Sequence, residues 1–148
     1  MKRGEQKRIP TPGQQRHYHV FGAYDWSNHT VTWTTSKRKH SAAFITFLER
    51  LLVERYPDEV VVLVLDNASI HKSAASMAAL SLFEHRVWVF WLPPYCSALN
   101  PIERFWRHLK DQVAANTLHP DMETLLAAIE KQLVAQNDMD NSERFAFS

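Results

Sequence analysis

Two carboxylates stand where the surrounding sequence gives them chemical meaning. Asp66 follows directly on Val60-Val61-Val62-Leu63-Val64-Leu65, an aliphatic run without polar alternation that reads as a strand buried on both faces. An acidic residue at the carboxyl end of such a strand lies where open α/β sheets hold their ligands. Asp66-Asn67 equally suits a turn or a helix cap, because both side chains can bond the backbone two residues on. Glu103 closes the segment Asn100-Pro101-Ile102-Glu103, which has the form of a capping box with Glu103 reaching back to the first amide. It also shares a charged helix face with Arg107 and Lys110, an arrangement that needs no function to explain it. As a pair the two acids gain weight. From Asp66 the chain makes a helix and a second strand, then returns through a Pro-rich turn, which can bring Glu103 to the same sheet edge. Neighbouring carboxylates repel, a divalent cation removes that penalty, and hard oxygen ligands select Mg²⁺ or Mn²⁺. Arg104, Arg107 and Lys110 would add the positive charge that a phosphodiester requires.

Other constellations compete poorly. The chain has 8 histidines and 3 glycines, but no His/Cys grouping has zinc-ligand spacing and no phosphate-cradling glycine loop exists. His17 and His19 read as a polar strand face. His71, five residues after Asp66, can touch the site or merely begin a helix. Cys96, the one cysteine, has no base near it in sequence, excludes an internal disulfide and fits a reducing, cytoplasmic setting. The 5 tryptophans read as core; Trp88, Trp91 and Trp106 all fall in apolar runs. No secretory leader or membrane-spanning stretch is present in the 148 residues, so no membrane partner is expected. Net charge is +1, but residues 1–16 carry five cations against Glu5 and leave the rest of the chain slightly acidic. A basic head of this kind, with the Lys37-Arg38-Lys39 run, points weakly to nucleic acid.

Positioning these residues requires one α/β domain. Residues 1–16, with Pro10, Pro12 and Gly13, read as a loop or arm, and residues 17–148 as the folded domain. A β-hairpin spans Tyr18–Tyr24 and Thr30–Thr35 around Ser27-Asn28-His29, with Asn28 suited to the left-handed conformation. Ser41 opens a helix whose Phe44, Phe47, Leu48, Leu51 and Leu52 form one apolar stripe, and Pro57 stops it. After the Val60–Leu65 strand come a helix over 73–83 and a second strand, Val87–Leu92. Asn100 caps a helix with Pro101 at its first position, striped by Ile102, Phe105, Trp106, Leu109 and Val113. A last helix starts at Asp121. The fold class is α/β, a mixed sheet flanked by helices.

Three segments resemble the DDE-type transposases of bacterial insertion sequences related to the mariner group. They are Val20–Trp26, Leu65–Lys72 and Leu92–Trp106, the last being long and specific, and 37 positions separate Asp66 from Glu103, an interval similar to the family's. The resemblance spans residues from about 10 to 135. It implies a ribonuclease-H-like fold with three carboxylates around two divalent metals, cleaving DNA and transferring its strands. Asp66 matches the family's second acidic residue and Glu103 its third, so both are expected as catalytic residues and metal ligands. Asn67 and Asn100 match motif positions without being ligands, and His71 supports the motif. Lys37, Arg38, Lys39, Lys72, Arg104, Arg107 and Lys110 are the candidate DNA contacts. The family's first aspartate lies on an opening strand upstream of the basic loop, so that strand and its acid are expected to be absent here. DNA transposon ends are the expected partner, with a second copy or a complementing upstream fragment beside them. Two other readings stay open: a non-catalytic nucleic-acid-binding remnant using residues 2–16, Lys37–Lys39 and Arg104–Lys110, and a two-carboxylate metal phosphoesterase. Asp25 is an alternative third ligand.

Overall fold

A computed structural model of the chain describes residues 2–10, 17–93, 100, 102–114 and 122–146; for residues 2–10, His17 and Met122 only the backbone is described. Expectations resting on residues 11–16, Pro94, Cys96, Pro101 and Asp121 lie outside the described residues. Five strands form one sheet: β1 (Lys2–Pro10), β2 (His17–Asp25), β3 (Thr30–Ser36), β4 (Val61–Leu65) and β5 (Val87–Trp91), in the order β3-β2-β1-β4-β5. β1–β2 and β2–β3 are antiparallel, whereas β1–β4 and β4–β5 are parallel. The helices are α1 (Ser41–Glu49), running on into a π-helical stretch (Arg50–Arg55), α2 (Ser69–Lys72), α3 (Ala74–Ser81), α4 (Ile102–Ala114) and α5 (Met122–Asp138).

The first strand corrects the expectation for the basic head. Lys2–Pro10, read as loop or arm, is the central strand and fills the gap expected between the hairpin and β4. Local signals are poor there, since Gly4, Glu5, Gln6 and Lys7 have little β-propensity. Tertiary pairing decides instead: an open gap would leave the facing edges of β2 and β4 with unbonded N–H and C=O groups.

Two apolar clusters cover the two faces. On one, Phe21, Ala23, Leu63 and Leu65 of the sheet meet Phe44, Phe47, Leu48, Leu51 and Leu52 of α1 and its extension. On the other, Val20, Tyr24 and Val31 meet Ile102, Phe105, Trp106 and Leu109 of α4 and Ile129 and Leu133 of α5. Each such side chain, fully buried, contributes about 1.5–3 kcal/mol. α1 opens at Ser41 as expected, capped by His40, whose side chain accepts from the Ala43 amide. In the hairpin turn His29, not Asn28, takes the left-handed conformation at φ 59°, while Asn28 Oδ1 accepts from the Thr30 amide at 3.2 Å. Asn137 of α5 seals the outer edge of β3, accepting from the Val31 amide and donating to its carbonyl, both at 2.8 Å.

The tryptophans divide. Trp106 is buried, but Trp88 is 69% exposed and its neighbour Phe90 63%. The core expectation fails for Trp88 because β5 is an edge strand: Val87, Val89 and Trp91 face the α1 cluster and alternation turns Trp88 and Phe90 the other way.

Candidate active site

Asp66 leaves β4 at its carboxyl end and is held immediately. Its Oδ1 accepts from the Ala68 amide at 3.0 Å and lies 3.0 Å from His71 Nδ1. The His71 ring is 1% exposed and packs on Phe44 with ring centroids 4.6 Å apart. The turn reading of Asp66 is therefore met: these bonds fix its carboxylate at the carboxyl end of β4. The parallel ladder continues past it, with the Leu92 amide donating to the Leu65 carbonyl at 2.8 Å.

Glu103 comes from α4, anchored by Asn100, which is fully buried. The Asn100 carbonyl accepts from the Glu103 amide at 2.9 Å, and its Oδ1 accepts from the Ile102 amide at 3.4 Å. The helix is then seated on the sheet by Trp106. A Cβ built on Gly22 would come within 2.7 Å of two Trp106 ring carbons, so only glycine at 22 lets the indole approach β2 this closely. Among the described residues the buried Trp106 Nε1–H has no acceptor.

Register ties these contacts to Asp66. Gly22 pairs with Glu5 across β1–β2, and β1–β4 pairs Arg3 with Val64. Two residues further along both strands, the Glu5 backbone is level with Asp66. Gly22, Glu5 and Asp66 thus make one row, about 10 Å from end to end at about 4.8 Å per strand. Glu103 precedes Trp106 by three residues, about 4.5 Å along the helix axis and on the same side. Trp106 thus seats the helix that carries Glu103 on the Gly22 end of the row, and Asp66 ends the row at the carboxyl end of β4. Sequence reading misses the strand β1 that completes this row, because its residues have the composition of a loop.

Cations frame the same end. Lys37, Arg38 and Lys39 are exposed just after β3, whose Ser36 lies three residues beyond the row. Lys72 is exposed at the end of α2, its Nζ 4.9 Å from the Trp91 ring centroid. Arg104, Arg107 and Lys110 lie along α4, the last two on the Glu103 side at i+4 and i+7. Asn67 is exposed beside Asp66.

Asp25 stands elsewhere. It pairs with Lys2, three register steps from the row, and is 2% exposed. Its Oδ1 accepts from the Ser27 amide at 2.9 Å and the Ser27 hydroxyl at 2.6 Å. Tyr56 donates to its Oδ2 at 2.6 Å. These bonds commit it to tying the hairpin turn to the end of the π-helical stretch, so it is no third ligand. A groove of about 450 Å³ lined by Leu48, Val53, Ala79 and Leu82 lies between α1 and α3 and includes none of the site residues.

A family model described as DDE superfamily endonuclease matches residues 1–126. The chain belongs to this family. A protein of Shigella sonnei, described as the uncharacterized 39 kDa protein of insertion element IS630, is 33% identical over 127 residues, 86% of this chain. The chain spans 37% of that relative's length. Among solved structures it resembles a chain of the simian T-cell lymphotropic virus intasome, solved with a PP2A regulatory subunit, at TM-score 0.74 and 18% identity over 94% of this chain and 48% of that one. The HTLV-2 integrase catalytic core, solved with magnesium, gives 0.68 at 14% identity over 94% of this chain and 85% of that one. The BIV integrase core gives 0.66 at 18% over 99% and 86%. The fold of this DDE-superfamily chain is thus ribonuclease-H-like.

The donor chemistry suits a hard divalent cation: carboxylate oxygens on two rigid elements, one already held as an anion by a backbone amide. Among the described residues no group of three His, Cys, Asp or Glu is close enough to hold a metal. Among the same residues no helix is long and apolar enough to cross a membrane.

Proposed function

We propose that the chain is the DNA-cleaving and strand-transferring core of an insertion-element transposase, with Asp66 and Glu103 holding Mg²⁺ or Mn²⁺ beside the scissile phosphate of a transposon end. The observation that carries this reading is the register row that runs from Asp66, fixed by the β4 turn, to Gly22, where Trp106 seats the helix carrying Glu103. When bound, the divalent metal activates the attacking water or 3′-hydroxyl and stabilises the leaving oxygen. The chain's own groups do the rest. The Ala68 amide and the His71 ring orient the Asp66 carboxylate, and Asn100 sets the start of the helix that carries Glu103. Lys37, Arg38, Lys39, Lys72, Arg104, Arg107 and Lys110 neutralise phosphates on both sides of the edge. We place this activity in the cytoplasm.

By itself the chain is an impaired nuclease, because the family's first aspartate has no motif match in its 148 residues. A second copy or a complementing upstream peptide completes it by supplying that acid, while β1 already fills the centre of the sheet. The test is Mg²⁺-dependent nicking of terminal-repeat DNA by the purified chain, alone and with that peptide. Trace cleavage alone and recovery with the peptide is the expected result. Robust cleavage by the chain alone, abolished by Asp66→Ala, contradicts the impairment. Salt-dependent DNA binding with no turnover in either mixture marks a binding remnant, and turnover of a small phosphoester that DNA does not inhibit marks a phosphoesterase.

A further inference from the structure

The exposed aromatics of β5 lie on the face of the sheet that carries α4, in line with Asp66. Phe90 pairs with Val64 and Trp88 with Val62. Asp66 is two residues beyond Val64, so Phe90 and Trp88 stand about 8 and 14 Å from it, at about 3.3 Å per residue and 4.8 Å per strand. We propose that Trp88 and Phe90 form a stacking platform for unpaired nucleobases next to the scissile phosphate; this rests on the DNA-cleaving reading above.

Three observations select that occupant. Rings at 69% and 63% exposure are costly to leave in water and rare on a strand whose alternate residues pack a core. The platform lies on the same side of the sheet as Asp66 and close to it, rather than on a remote surface. Lys72 lies over the ring of Trp91, the residue after Phe90, so a cation and aromatic faces meet at the carboxyl end of β5, the combination that grips single strands. A second copy fits less well: pairing at the free edge of β5 uses backbone groups in the sheet plane and leaves both rings on an open face. Stacking tolerates any base, so the platform would hold a frayed or flanking strand without reading its sequence.

The test is fluorescence anisotropy in EDTA with two labelled DNAs, a blunt duplex and the same duplex with a single-stranded thymidine tail. The intact chain is expected to bind the tailed DNA about tenfold more tightly. Trp88→Ala with Phe90→Ala should erase that preference and leave blunt-duplex affinity unchanged, whereas Trp88→Tyr should retain it. A preference that survives the double alanine variant overturns the platform, as does an equal loss on both DNAs. So does a dimer of the intact chain that the variant converts to monomer, which assigns the patch to a second copy. Failure to bind either DNA overturns the DNA reading itself, so the blunt arm separates the two failures.

Discussion

Asp66 and Asp25 are both acids at strand ends, and their surroundings give them opposite tasks. Asp25 is enclosed and accepts from Ser27 and Tyr56; Asp66 sits half-buried at the open edge, held on Oδ1 by a backbone amide and His71. Tyr56→Phe removes a donor from a buried carboxylate and is expected to cost about 1–3 kcal/mol in chemical denaturation, with Mn²⁺ affinity unchanged. Loss of Mn²⁺ binding in that variant would return Asp25 to the site. The tyrosines also set an alkaline limit. Burial, then the Asp25 charge, pushes Tyr24 from 10.0 up to about 12, and burial with the Asp25 hydrogen bond pushes Tyr56 up as well. The folded state thus favours the neutral phenols. Their stabilisation is complete below pH 10 and is lost as pH rises from there through the folded values. Denaturation midpoints should hold steady to about pH 10 and fall above it, and Tyr56→Phe should flatten that fall.

At the scale of elements, the seating of α4 on β2 sets the place of Glu103. Gly22→Ala forces Trp106 off β2 and is expected to destabilise the fold by about 1–3 kcal/mol, with Mn²⁺ affinity falling as well. A Gly22→Ala variant with both quantities intact would mean that α4 is held by other contacts. Periodicity makes most elements legible. The Phe44–Leu52 stripe, the Val61–Leu65 run and the Ile102–Leu109 stripe each carry one dominant pattern that the core obeys. β1 is illegible because its residues favour neither strand nor core, and only the two edges it joins require it. Trp88 misleads for a related reason: an apolar run cannot say which of its faces lacks a covering layer. The Asp66 and Glu103 pair is legible as motif and spacing, but the Gly22–Trp106 contact that joins their elements is a long-range packing fact with no local signal.

For the whole molecule, a five-stranded sheet carries a helical cluster on each face and presents Asp66 at the carboxyl end of its fourth strand. The central claim is that Asp66 and Glu103 act as one metal site. Mn²⁺ binding by calorimetry to the intact chain, Asp66→Asn, Glu103→Gln and the double variant measures that directly. If the two carboxylates share a cation, each single change removes most of the affinity and the double change adds little, a strongly non-additive cycle. Additive losses, or a single variant that binds Mn²⁺ as the intact chain does, would contradict the account.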